Sequence, residues 1–132
     1  MAIDVQDRNY IENAFQVTSV LGEYGLTAVI NCNGIALLMP CETITTKEVQ
    51  AVINTNLIGT FLTSQESLPF LRLAKGTLIN IASYGGYLTM PFGYAYCAGK
   101  FGVEALSNSL RVEVKPQGIN VVIGVFYLKN LS

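Results

Sequence analysis

A chain of 132 residues can bury one hydrophobic core but is too short for two domains, and its 51% hydrophobic and 13% charged residues suit strands buried on both faces. Eight basic and nine acidic residues, dispersed to a net charge of -1, leave no electrostatic footprint for nucleic acid or an anionic membrane. The absence of histidine excludes Ser-His-Asp, Cys-His and histidine-metal sites, so acid–base chemistry falls to Tyr, Lys or a carboxylate.

In chain order, residues 2–5 form a short apolar run, predicted as a strand ending at Asp4-Val5. Charge appears within the first four residues and no long apolar stretch follows, which predicts neither a signal peptide nor a membrane segment. Asp7 can cap a helix with the stripe Ile11, Ala14, Phe15, Thr18 and Leu21, stopped by Gly22. Residues 26–31, centred on Val29-Ile30, read as a strand, and Asn31-Cys32-Asn33-Gly34 as the turn that follows it.

Thr45-x-x-Glu48 is a capping-box signature opening a helix with Val49, Val52, Ile53, Leu57 and Phe61 on one face, running on toward Pro69. Asn56 falls within that buried stripe. Residues 77–81 are a second buried strand, after which Ser83, Gly85 and Gly86 are expected in a flexible loop. A helix follows Pro91 and Gly93, with Val103, Leu106, Leu110 and Val114 at spacings of three and four, closed by Pro116 and Gly118. Residues 120–125 are the last strand. Strands alternating with helices over short connections imply βαβ units and a parallel sheet, with ligands in the crevice at the carboxyl ends of the strands. Cys32, Cys41 and Cys97 are odd in number and lack Cys-x-x-Cys spacing, arguing against a disulfide framework or zinc site and for a reducing, intracellular setting, cytoplasmic by default.

Tyr96 and Lys100 lie four residues apart near the start of a predicted helix, so both emerge from one face. A nearby ammonium favours phenolate over phenol, whose isolated pKa is about 10, and so suits the pair to proton exchange with a hydroxyl or carbonyl. Seven tyrosines and five lysines give roughly 0.3 such pairs by chance, so an ordinary surface pair is the competing reading. Ser83, at the mouth of a strand, can polarise a substrate oxygen or simply solvate a turn. Asn56, at a core-facing position, needs hydrogen-bond partners, whether in a site or as a tie between helix and strand.

Together, Asn56, Ser83, Tyr96 and Lys100 resemble the Asn-Ser-Tyr-Lys tetrad of the short-chain dehydrogenase/reductase family, in order and spacing. Asp4-Val5, the stretch Val29-Ile30-Asn31-Cys32-Asn33-Gly34 and the stretch Leu78-Ile79-Asn80-Ile81-Ala82-Ser83 are similar to further family motifs, so the likeness runs from Asp4 to about Ile123. The resemblance implies a doubly wound, Rossmann-like parallel sheet with helices on both faces, and a single NAD(P)-binding domain over residues 1–132. It also implies a nicotinamide-dependent oxidoreductase, using NAD or NADP, that acts on a secondary alcohol or ketone. In that reading Tyr96 exchanges the proton and Ser83 positions the substrate oxygen. Lys100 lowers the Tyr96 pKa and binds the nicotinamide ribose. Asn56 holds a relay water, and Asp4, Val5 and Asn31 line the adenosine and ribose side of the cofactor.

The family's Gly-rich Thr-Gly-x-x-x-Gly-x-Gly turn is expected upstream of Asp4, so the domain is expected to be incomplete, lacking its first βαβ segment, and to bind cofactor weakly by itself. Residues 26–31 are expected to expose an unpaired strand edge. Cys32 and Asn33 stand for Asn and Ala in the turn, Gly99 for Ser before the lysine, and Gly124-Val125-Phe126-Tyr127 where the family has Pro-Gly. A second reading is a non-catalytic chain that self-associates or pairs with full-length relatives through the helices over residues 46–68 and 94–115. A third, an epimerase or dehydratase of the family's extended branch, fits the Asn56 motif less well.

Overall fold

The computed structural model describes residues 4–21 and 24–125, with the backbone alone for 18–21. Helix α1 spans Arg8–Leu21, strand β1 Ala28–Asn31, helix α2 Thr46–Ile53, helix α3 Gly59–Ala74, strand β2 Thr77–Ile81, helix α4 Tyr94–Val114 and strand β3 Asn120–Gly124. All three strands are parallel, in the order β1-β2-β3, with Val29 beside Leu78 beside Val121. The α/β class and parallel sheet predicted from the alternation are thus observed.

Several predicted ends have visible causes. Asp7 caps α1 by accepting from the Asn9 N–H at 2.9 Å. The Thr45–Glu48 box forms reciprocally at the start of α2. α3 ends on Lys75 in the left-handed conformation (φ 50), and the Gly76 N–H then closes on the Leu71 carbonyl at 2.8 Å. Gly76 has no substitute there, since a Cβ would stand 2.3 Å from the Leu26 carbonyl oxygen.

The apolar core lies toward the amino ends of the strands. Leu71 from α3, Leu110 and Val114 from α4, Leu78 and Val121 from the sheet, and Ile119 pack together, flanked by Leu26, Val29 and Leu68. These side chains lie on the sheet face that carries Val29, Leu78 and Val121. The expectation of helices on both faces is met on this one by the described residues. Ile30 and Val122, which alternate to the other face, are 57% and 46% exposed.

Four expectations are corrected. Asp4-Val5 does not close a paired strand. The Asp4 carboxylate accepts from the Gln6 N–H at 2.9 Å and its carbonyl from the Asp7 N–H at 3.1 Å, so local bonds fold residues 4–7 into a turn; residues 2 and 3 of that predicted strand lie outside the described residues. The helix does not stop near Pro69 but runs to Ala74, because Pro69 sits on its exposed side while Leu71 is fully buried. The stripe from Val49 does not reach Phe61, which is 42% exposed. A π-helical turn, Asn54–Ile58, inserts between α2 and α3 and rotates the buried face onto Thr60, Ser64, Ser67 and Leu71. Gly85 and Gly86 are not loose: they are buried in a 3₁₀ turn, Tyr84–Gly86. β1 pairs with β2 alone among the described residues, so its outer edge carries no described strand.

Candidate functional site

The carboxyl ends of β1 and β2 lead directly into the turns bearing the candidate residues. Beyond Asn31 come Cys32, Asn33 and Gly34; beyond Ile81 come Ala82 and Ser83. A cleft of about 300 Å³ opens between them, and its walls include Ser83, Tyr96 and Lys100 with Cys32, Asn33 and Ile35. Three of the four predicted catalytic side chains therefore share one cavity, at the crevice that parallel-sheet topology favours.

α4 delivers two of them. Tyr96 is half-buried in its first turn, and Lys100, one turn later, is 5% exposed. The Lys100 ammonium donates to the Ile81 carbonyl at 2.8 Å, which fixes its head at the end of β2. Burial pushes its pKa below the ordinary lysine value, and nearby Cys32 acts in the opposite sense.

Ser83 opens the 3₁₀ turn: its hydroxyl accepts from the Gly85 N–H at 3.2 Å and its carbonyl from the Gly86 N–H at 2.8 Å. That turn lies on α4. A Cβ at Gly85 would be 3.1 Å from the Tyr96 ring, so glycine lets Ser83 and Tyr96 come together.

Asn56 is fully buried in the π-helical turn. Its amide donates to the Ile35 carbonyl at 2.9 Å and accepts from the Ile35 N–H at 2.8 Å, pinning the chain just past the β1 turn. Gly34 lies between Asn56 and Lys100: a Cβ there would be 3.6 Å from Lys100 Nζ and 3.7 Å from Asn56 Oδ1. Asn56 borders the cleft from behind this turn and is not in its lining.

The predicted cofactor-side residues separate. Val5 and Asn31 line an adjoining, mainly apolar cleft of about 290 Å³ with Ile11, Phe15 and Val29, and it shares Cys32 and Asn33 with the first. Asp4 lines neither and is exposed. The Asn31 amide turns inward, donating to Asn80 Oδ1 at 2.8 Å and Ser64 Oγ at 3.1 Å. Asn80 then donates to Ser107 at 2.9 Å. This buried ladder joining β1, β2, α3 and α4 was not foreseen, although an asparagine inside each of two buried strands was a visible signal.

The donor set suits the nicotinamide and ribose half of a dinucleotide, because a phenol, a hydroxyl and an ammonium face one cavity. A pyrophosphate cradle is not among the described residues. The N-termini of α1 and α2 carry the acidic Asp7 and Glu48, and α4 begins at Gly93 without a run of glycines.

A family model described as short chain dehydrogenase matches residues 1–125. Short-chain dehydrogenase/reductase family 9C member 7 of Mus musculus is 39% identical over 123 residues, 92% of this chain and 39% of that protein. The mitochondrial D-beta-hydroxybutyrate dehydrogenase of Rattus norvegicus is 39% identical over 101 residues, 76% of this chain and 29% of its own. A solved short-chain dehydrogenase from Streptomyces avermitilis aligns with TM-score 0.86 at 28% identity, over 99% of this chain and 49% of that one. A metagenomic short-chain oxidoreductase in complex with NADP aligns with TM-score 0.87 at 25% identity, over 95% and 57%. The chain spans less than half the length of these curated relatives.

Proposed function

Because this chain belongs to the short-chain dehydrogenase family, we propose that it carries the proton-transfer residues of a nicotinamide-dependent oxidoreductase acting on a secondary alcohol or ketone. The observation that carries this reading is the single cleft walled by Ser83, Tyr96 and Lys100 at the carboxyl ends of parallel strands. Tyr96 exchanges a proton with the substrate oxygen, and Ser83 donates a hydrogen bond that orients it. Lys100, desolvated and fixed on Ile81, sets a positive charge in the wall of the same cleft, one helical turn beyond Tyr96. Asn56 keeps the turn after β1 in place and, with Asn31 and Val5, borders the cofactor side.

Tyr96 and Lys100 would hold the nicotinamide ribose of NAD or NADP, and the bound nicotinamide supplies or accepts the hydride. No protein nucleophile or metal ion is required by this chemistry. The three free cysteines fit a reducing, intracellular setting. Among the described residues no helix is long and apolar enough to cross a membrane.

The test follows nicotinamide absorbance against a panel of secondary alcohols and ketones. Tyr96→Phe is expected to lower turnover by about 100- to 10,000-fold, the range for losing a general acid–base group. Undiminished turnover in that variant rejects the reading.

A second reading rests on the outer faces of α3 and α4. Phe61 and Phe101 are 42% and 41% exposed, and a groove of about 200 Å³ between these helices includes Phe61, Leu68, Leu106 and Leu110. A non-catalytic chain that self-associates or pairs with full-length relatives would use this surface. Co-purification with a relative supports it, and a lone monomer at high concentration rejects it.

A further inference from the structure

One buried acid takes no part in the proposed chemistry. Glu104 lies on α4 one turn beyond Lys100 and is 8% exposed, with Oε1 lacking a hydrogen-bond partner. Burying a carboxylate is costly, and an apolar residue would pack this helix face more cheaply. What Glu104 touches explains why an acid stands there.

Tyr96, Lys100 and Glu104, at successive fourth positions, form a single row along α4. The turn after β2 lies on that row residue by residue. Gly85 faces the Tyr96 ring. Gly86 faces the next step, where a Cβ would be 3.0 Å from the Lys100 carbonyl oxygen and 3.3 Å from Glu104 Cγ. The Tyr87 phenol then faces the Glu104 carboxylate, whose nearness, followed by burial, holds the Tyr87 phenol above its ordinary pKa. Ser83 is the residue from which this turn starts, bonded to both Gly85 and Gly86.

We propose that Glu104 is a positioning residue: by holding Gly86 and Tyr87 against α4 it clamps the turn that Ser83 opens, and so sets where the Ser83 hydroxyl stands relative to the Tyr96 phenol. The kinetic part of this inference rests on Ser83 and Tyr96 acting as proposed above; the anchoring part does not. Glu104 touches no reacting atom. Its effect passes through the turn, which makes Ser83 the residue through which it is felt.

A kinetic double-mutant cycle tests the first part. Glu104→Ala is expected to lower kcat by about 10- to 100-fold, the scale of an ångström-sized misplacement, with a smaller change in KM. Glu104→Gln, which keeps the size of the side chain against Gly86 and a polar head facing Tyr87, is expected to retain most of the activity. In a Ser83→Ala background, Glu104→Ala is expected to add no further loss. Equal losses in both backgrounds overturn the proposal, because a merely structural residue acts regardless of Ser83.

Amide hydrogen exchange on the purified chain tests the anchoring without any need for turnover. Glu104→Ala and Tyr87→Phe are expected to speed exchange at Gly85 and Gly86 by about three- to tenfold, the scale of one lost polar contact. The sheet amides of Leu78 and Val121 are expected to stay unchanged. Unaltered exchange at Gly85 and Gly86 overturns the proposal; altered exchange with no turnover in the parent chain rejects the enzymatic reading and supports the clamp.

Discussion

The two ends of the same sheet are built by opposite rules. At the amino ends, Leu78 and Val121 meet Leu71, Leu110 and Val114 in a dry apolar cluster. At the carboxyl ends, the same strands and helices bury Asn31, Asn56, Asn80, Ser64, Ser107 and Lys100. Apolar burial is non-directional and yields stability in proportion to area. Buried polar groups yield little net stability, but each demands a partner in one direction, so they define geometry. Among the described residues, stability concentrates at one end of the sheet and positional information at the other.

This contrast breaks most visibly in denaturation experiments on single variants. Leu78→Ala is expected to cost about 2–5 kcal/mol through its lost contacts and residual cavity, read as a lower urea midpoint. Such a loss is a large fraction of the roughly 5–15 kcal/mol that holds a typical domain folded. If the midpoint hardly moves, the apolar cluster is not the source of stability.

Asn80→Leu is expected to cost less, about 1–3 kcal/mol. The apolar replacement removes the link in the middle of the ladder, while Asn31 keeps Ser64 and Ser107 keeps the Val103 carbonyl. A loss equal to that of Leu78→Ala would show that the ladder supplies bulk stability as well as geometry.

Lys100→Met is expected to have the smallest effect and the opposite sign. Burial lowers the Lys100 pKa in the folded chain, so between its folded value and the unfolded value of 10.5 the unfolded chain binds more protons. Stability attributable to this group therefore rises as pH rises through that window, and below it the buried charge is destabilising in full. Lys100→Met should raise the urea midpoint at pH 7, with the gain shrinking toward pH 10. A lowered midpoint at pH 7 would mean that the bond to Ile81 outweighs desolvation.

Much of this architecture is written locally. Asp7 and Thr45-x-x-Glu48 mark helix starts because capping is a contact between near neighbours. Residues 26–31, 77–81 and 120–125 read as strands because β-branched apolar residues cluster there and turn residues bound them, and the strands form at Ala28–Asn31, Thr77–Ile81 and Asn120–Gly124. Local reading fails where a neighbour in space overrides the period. Phe61 fits the stripe begun at Val49, yet the π-helical turn around Asn56 rotates it outward and brings Ser64 and Ser67 inside. Gly85 and Gly86 resemble a flexible linker in isolation; their ordering comes from α4, whose Tyr96 and Lys100 leave no room for a Cβ. In the candidate site, the spacing of Tyr96 and Lys100 was legible and so was Ser83 at a strand mouth. The pairing of Asn56 with Ile35 and of Glu104 with Tyr87 was not, since nothing local records which backbone or phenol an amide or acid will meet.

The amino-acid sequence by itself determined the alternation of strands and helices, their caps and the residue types available for proton transfer, because these depend on side chains within a few positions of one another. Only the tertiary structure decided that Ser83, Tyr96 and Lys100 share a cleft, that Asp4 stands outside it, and that the Asn31 amide faces the interior. Those outcomes depend on which strands lie side by side and which helix face meets them, and that is settled by packing across long stretches of chain.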